Sequence, residues 1–176
     1  MIRILILVVF FFTSLASAEK SRPMDEMHSD CSAYSVPLKS EFELWKKQSR
    51  SLQQEDKTAQ ASIGEKLNLK LVKQTDLQLP SPPEKSFAKG DLRFAGFFPL
   101  SIKEPGDYRV SIGSKVWLDI VSAKTKKTIE ATSFEMQTKC DSIFKTVLFK
   151  LDKNEEYFVQ ISSSKNPEVD LVITKP

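Results

Sequence analysis

The chain has 176 residues with 26 basic and 23 acidic side chains, which give a formal net charge of +3 at pH 7. This length fits one domain with a sizeable core. Charges of both signs are mixed along the chain, so composition gives no support for nucleic-acid binding. The one histidine, His28, excludes a three-histidine zinc site or a two-histidine iron site within one chain.

The first 18 residues have the pattern of a cleavable signal peptide. Arg3 supplies the basic start, Ile4–Phe12 is a short apolar run, and Ala16–Ala18 fits a small-residue cleavage site. The apolar run is shorter than the roughly 20 residues that span a bilayer. We therefore expect cleavage after Ala18, a mature chain without a transmembrane segment, and a periplasmic or secreted location.

Two cysteines, Cys31 and Cys140, follow the predicted cleavage site. Exported proteins meet oxidising conditions, so a disulfide between them is the expected state. That bond would tie the N-terminal arm to the rest of the chain. The alternative is two separate thiols, one of them a metal ligand.

Residues 19–64 are predicted to form an N-terminal arm and a helix. The arm, 19–36, is polar and has no clear period. A helix is predicted over Ser40–Gln54, because Ser40 and Glu43 stand at capping-box spacing and four apolar residues form one stripe. We expect that stripe to pack on a β-domain over 65–176; its members are Leu38, Phe42, Trp45 and Leu52.

The rest of the chain alternates apolar and polar residues in short segments separated by turn-like gaps, which is typical of β-strands. The helices that a parallel sheet needs between its strands are missing. The sequence therefore predicts an all-β fold, an antiparallel sandwich or jelly roll of about eight strands. The cluster Pro80–Pro83 interrupts this pattern and predicts a surface loop. The predicted strands are Leu67–Leu71, Leu92–Ile102, Tyr108–Ile112, Val116–Val121, Thr128–Phe134, Val147–Leu151, Tyr157–Ile161 and Val169–Ile173.

The stretch Pro105–Val121 (PGDYRVSIGSKVWLDIV) is predicted to be a hairpin that turns at Gly113 and Ser114. Trp117 has the parity of the outward residues of its second strand. It is a candidate ligand-binding residue, since an exposed indole can stack on a sugar. The favoured alternative is packing beneath the predicted helix, because aromatic side chains bury a large area.

No catalytic set is present in the sequence. It has no G-x-S-x-G elbow, no P-loop and no dinucleotide fingerprint, so we expect neither a catalytic residue nor a cofactor. Thioether and imidazole groups near the cysteines suit Cu(I). This soft-metal hypothesis competes with the favoured interpretation of ordinary residues around a structural disulfide; the candidate ligands are Met24, Met27, His28 and Met136.

Three stretches carry a resemblance to a known family: Pro105–Val121, Lys139–Leu151 (KCDSIFKTVLFKL) and Tyr157–Ser163 (YFVQISS). The chain resembles a family of short exported bacterial β-sandwich proteins, many of which carry the label homogentisate 1,2-dioxygenase. The label implies an iron-dependent aromatic ring-cleaving dioxygenase. However, the family's frequent His-x-His falls on Phe134 and Met136 here, which removes an imidazole site.

The strand-and-turn pattern is also similar to that of prepeptidase C-terminal β-sandwich domains, which implies a binding or stabilising module at the level of the fold. We therefore expect an exported, non-catalytic β-sandwich that binds an unidentified protein partner or small ligand in the cell envelope. The alternatives are the ring-cleaving dioxygenase and a soft-metal (copper) carrier.

Overall fold

The computed structural model describes residues 31, 33–56, 58–83 and 91–176, so the predicted signal peptide lies outside the described residues. The described part is an all-β fold with one α-helix, as predicted. None of its helices is long and apolar enough to cross a membrane. In chain order its elements are α1 (Lys39–Trp45), β1 (Arg50–Gln53), β2 (Lys66–Lys70), β3 (Val72–Lys73), a 3-10 turn (Gln74–Asp76), β4 (Phe94–Ser101), β5 (Gly106–Ile112), β6 (Trp117–Ser122), β7 (Thr128–Ile129), β8 (Ala131–Met136), β9 (Lys145–Leu151), β10 (Glu156–Ser164) and β11 (Glu168–Thr174).

The strands form two sheets that pack face to face. The six-stranded sheet has the order β1-β2-β11-β5-β9-β8, and the five-stranded sheet has the order β3-β4-β10-β6-β7. Neighbouring strands are antiparallel except β1 and β2, which are parallel. Alternate residues point into the space between the sheets. The core there includes the fully buried side chains of Leu69, Phe98, Ile120, Phe149 and Ile161.

The predicted hairpin at Pro105–Val121 is wrong. Its two strands exist as β5 and β6, but β5 belongs to the six-stranded sheet and β6 to the five-stranded sheet. The link 113–116 therefore crosses from one sheet to the other instead of reversing within one. Both arrangements give the same alternation, because each strand still presents one apolar face to the shared core.

The predicted helix over Ser40–Gln54 is too long and begins differently. Leu38 is the N-cap without a side-chain bond, and the helix ends at Trp45, so Ser40 and Glu43 do not form a capping box. Leu52 belongs to β1 instead, where it is 2% exposed in the main core. Its spacing of seven residues from Trp45 fits a helical stripe equally well, which explains the error.

The helix packs on the outer face of the six-stranded sheet, as expected for its stripe. A second, smaller core forms there around the disulfide between Cys31 and Cys140, with Leu38 and Ile143 buried and Phe42 and Trp45 against them. This disulfide was predicted. It closes a segment of 109 residues and fixes the N-terminal residues to the turn between β8 and β9.

A buried ion pair joins the helix to the sheet. Glu41 is fully buried, and its Oε1 accepts hydrogen bonds from Arg109 Nη1 at 3.0 Å and from Thr174 Oγ1 at 2.6 Å. Arg109 also donates to the carbonyl oxygen of Pro37 at 3.1 Å. Because each charged group has several partners, the pair positions α1 on β5 and β11.

Candidate functional site

Trp117 lies on the outer face of the five-stranded sheet and is half-buried. Its indole N–H donates to Asp119 Oδ1 at 3.2 Å, and Gln160 Nε2 donates to Asp119 Oδ2 at 3.3 Å. Since α1 lies on the other sheet, the expectation that the helix covers Trp117 is wrong. The proposed ligand contact of Trp117 stays a prediction. Because the indole N–H is bonded to Asp119, a ligand would contact the indole ring.

The segment 77–83 covers part of this outer face. Ser81 N donates to Gln160 Oε1 at 3.1 Å, and Gln160 is fully buried beneath it. Here lies the proline cluster that was predicted to be a surface loop. Pro80, with Phe97 and Phe158, lines a shallow hollow of about 290 Å³ beside this segment. The hollow is open and small for a ligand site, which usually exceeds about 300 Å³.

A larger open cleft of about 740 Å³ lies at one end of the sandwich, lined in part by Arg50, Ile63, Lys103 and Tyr108. The guanidinium of Arg50 is occupied: Nε and Nη2 donate to the carboxylate of Glu65 at 2.8 to 3.1 Å, and Nη2 also donates to Gln60 O and Ser62 Oγ. The bond with Glu65 raises the pKa of Arg50. The guanidinium of Arg50 is therefore already paired with an anion of the chain itself.

The candidate soft-metal ligands are not brought together in the described part of the chain. Met24, Met27 and His28 lie outside the described residues, and Met136 is on β8 with its side chain 51% exposed. Both cysteines are in the disulfide, so neither provides a thiolate. Within the described ranges no group of three or more His, Cys, Asp or Glu side chains is placed to hold a metal ion.

The most distinctive surface is at the free edge of the six-stranded sheet, on β8. Phe134 is 67% exposed and Met136 is 51% exposed. They stand opposite Val147 and Lys145 of β9, so both side chains lie on the face of the sheet that carries the main core. Two large apolar side chains therefore extend that face beyond the part that the five-stranded sheet covers.

The backbone of the same two residues is also available. Gln137 N donates to Phe144 O at 2.9 Å, which makes these two residues a hydrogen-bonded pair. Such pairs alternate along an antiparallel ladder, so Phe134 and Met136 occupy the non-hydrogen-bonded positions. Their N–H and C=O groups point away from β9, and no strand of the described residues lies on that side. We call these side chains and backbone groups the β8 rim.

The opposite face of β8 is held in place by the described residues 31 and 33–45, which we call the N-terminal segment. Ser35 N and Oγ donate to the carboxylate of Glu135 at 2.9 and 2.8 Å, and Gln137 Nε2 donates to Ala33 O at 3.0 Å. The bond from Ser35 N is the main reason why the pKa of Glu135 is lowered. The disulfide lies at the end of this contact, so the β8 rim sits on a supported strand.

Lys145 lies beside the β8 rim on the neighbouring strand, β9. It stands opposite Met136, and its Nζ donates to the carbonyl oxygen of Val116 at 2.9 Å. Burial lowers the pKa of this ammonium group, and the charge of Asp119 partly offsets that effect. The ammonium group is therefore bonded to the link that precedes β6 and is directed away from Phe134.

Sequence reasoning placed Phe134 at the end of a weak strand and did not identify the β8 rim. One signal was present: the segment Ala131–Met136 contains no lysine, arginine or proline, although these residues commonly protect an edge strand. That signal becomes meaningful only when the strand is known to be at an edge. The strand order depends on pairing between distant segments, which alternation does not specify.

Comparison of the chain with family models, with curated proteins and with solved structures gives no match. The resemblance to the short exported proteins and to the prepeptidase C-terminal domains therefore stays a prediction.

Proposed function

We propose that this chain is an exported, non-catalytic β-sandwich that binds a protein partner at the cell envelope, and that the β8 rim is its contact. The single observation that carries the proposal is the coincidence of two features at one place. Phe134 and Met136 are large exposed apolar side chains, and their backbone groups are unpaired among the described residues. An added strand would satisfy the backbone groups while its side chains cover the apolar ones.

Export is supported by the N-terminal pattern and by the disulfide. The segment of residues 1–18 has the three parts of a signal peptide, and Cys31 and Cys140 are paired. Structural disulfides persist in oxidising compartments and are rare in the cytosol. A periplasmic or secreted location follows as part of the proposal. N-terminal sequencing of the exported chain is expected to begin at Glu19.

The partner contact is tested by photo-cross-linking in the exporting cell. A photoreactive phenylalanine analogue replaces Phe134 in one variant and Leu92 in the control, because Leu92 is 59% exposed and lies in another part of the chain. We expect a protein adduct from position 134 and none from position 92. Equal adducts from both positions, or none from either, would contradict the proposal.

A soft-metal carrier is the second candidate, and one observation favours it. Met136 is half exposed and is four residues before Cys140. The disulfide brings Cys140 to Cys31, three residues after His28. Titration of the oxidised chain with Cu(I) tests this candidate. Tight binding that is lost on Met24→Leu with Met27→Leu would support it, and unchanged affinity in that double variant would remove it.

The ring-cleaving dioxygenase rests on the resemblance alone. Iron analysis of natively exported protein, together with an assay on an aromatic diol, distinguishes it from the binding module. Stoichiometric iron with ring cleavage would support the enzyme and overturn the proposed non-catalytic function.

A further inference from the structure

We infer that the partner of the β8 rim is a second copy of this chain, with β8 paired antiparallel to its counterpart about a two-fold axis at Phe134. The inference rests on the proposed function, because it uses the same surface, and it adds the identity of the partner. The pairing would join the two six-stranded sheets into one continuous sheet.

The backbone pattern allows an axis at Phe134 or at Met136, and the charges that flank the strand favour Phe134. Phe134 directs its N–H and C=O to the free side, so an axis at this residue lets the two Phe134 backbones exchange both hydrogen bonds. The same register places Met136 opposite Thr132 and Ser133 opposite Glu135. An axis at Glu135 would instead place two carboxylates directly opposite each other, which destabilises a strand pair.

The charges that flank the strand favour a second copy in the antiparallel direction. Glu130 precedes β8 and Lys139 follows it, and both are exposed. Antiparallel pairing about Phe134 places the Glu130 end of each strand at the Lys139 end of the other, where Lys139 lies in the turn that follows β8. Parallel pairing would bring like charges together. Because opposite charges stand at the two ends of one strand, the segment is complementary to itself.

The short length of β8 and its bulge lead us to expect a weak association. The strand has six residues, and its register with β9 shifts between Ala131 and Ser133. Such a bulge twists the end of an edge strand. The paired segment is then short, and its interface falls below the roughly 1,200 Å² of a stable complex. We therefore expect a reversible dimer whose population rises with protein concentration.

The test uses two single-cysteine additions to the purified, oxidised chain. Phe134→Cys places two thiols across the axis, at a spacing that a disulfide can bridge, since hydrogen-bonded antiparallel pairs have Cα atoms about 5.5 Å apart. Met136→Cys is the matched control. Its side chain is also half exposed, but its counterpart lies four residues away along the partner strand, about 13 Å. Mass mapping confirms that Cys31 and Cys140 remain paired.

We expect a covalent dimer from Phe134→Cys on mild oxidation, with at least about tenfold less from Met136→Cys. Sedimentation from about 10 µM to about 1 mM is expected to show a concentration-dependent dimer in the unmodified chain and a monomer in Phe134→Lys. Leu92→Lys, an equally drastic change at an exposed residue, is expected to leave the dimer unchanged.

Equal cross-linking of the two cysteine variants would overturn the axis at Phe134 and with it the inference. A monomer throughout the concentration range would also overturn it. If position 134 then still forms an adduct with a different protein in the cell, the proposed function stands with another partner. If position 134 forms no adduct, both the dimer inference and the proposed function fail.

Discussion

The two sheets differ in how their outer faces are covered. The N-terminal segment covers the six-stranded sheet through a disulfide, a buried ion pair and an apolar cluster that includes Phe42 and Trp45. The segment 77–83 covers part of the five-stranded sheet, and among the described residues its backbone donates one hydrogen bond to that sheet, from Ser81 N to Gln160 Oε1.

The N-terminal cover is therefore attached to its sheet more strongly than the segment 77–83 is attached to the other sheet. Burial of apolar side chains and a long-range covalent bond each contribute several kcal/mol, whereas a single neutral hydrogen bond contributes about 1 kcal/mol. We therefore expect loss of the disulfide or of the buried ion pair in the N-terminal cover to cost more stability than loss of the bond that holds the segment 77–83. Three variants test that order, and a fourth tests a weaker contact within the N-terminal cover.

The largest effect is expected from Cys31→Ser with Cys140→Ser. Loss of a bond that closes 109 residues is expected to lower the free energy of unfolding by about 5 kcal/mol in the chain-entropy model. Urea unfolding measures the change. The reduced, unmodified chain is the control and should match the double variant. A loss no larger than that caused by the Gln160 variant below would contradict the proposed difference between the covers.

The next effect is expected from Glu41→Ala. It leaves the guanidinium of Arg109, whose side chain is 11% exposed, without its anionic partner, and removing one member of a buried pair costs about 3 to 5 kcal/mol. Glu43→Ala is the matched control on the same helix, because Glu43 is 61% exposed. We expect that variant to change the free energy of unfolding by at most about 0.5 kcal/mol.

A smaller effect is expected from Gln160→Leu. The change removes the acceptor of Ser81 N in a buried setting and also the donor to Asp119 Oδ2, and an unsatisfied buried donor costs about 1 to 3 kcal/mol. We expect about 1.5 kcal/mol in urea unfolding and faster proteolysis within 77–83. Gln53→Leu, at an exposed residue of β1, should leave the proteolysis unchanged. A cost equal to that of Glu41→Ala would remove the distinction between the covers.

The smallest effect is expected from Tyr34→Phe, and it depends on pH. The Tyr34 hydroxyl donates to Ile143 O at 2.9 Å, and burial raises its pKa to about 12. Because the pKa is higher in the folded than in the unfolded chain, its contribution is complete below about pH 10 and is lost as the pH rises toward 12. The unmodified chain should lose stability between about pH 10 and pH 12 more steeply than the variant. Parallel curves would contradict this assignment.

The strands were predictable from sequence, but their assignment to sheets was not. The alternation of Tyr108, Val110 and Ile112 specifies a strand with one apolar face, and the structure has that strand. The same alternation fits both a hairpin and a crossing between sheets. Leu52 shows the same ambiguity, since its spacing suits a helix while its place is in a short parallel strand.

The candidate site was predictable only in part. Trp117 was identified by its parity, but Gln160, which bonds the same Asp119 as Trp117, comes from a distant strand that no local pattern connects to it. The disulfide was predicted because only two cysteines were present. Phe134 and Met136 became a candidate surface only through the position of β8 at an edge, which depends on five strand pairings across the chain.

The bond between Glu41 and Thr174 joins residues 133 positions apart, near the two ends of the described chain. Synthesis proceeds from the N-terminus, so the residues of α1 exist long before β11, the strand that receives them. The helix is also short, at seven residues, and an isolated helix of that length is unstable in water. Docking of α1 must therefore wait for the last strand. The order of synthesis thus makes the first part of the chain the last to reach its native place.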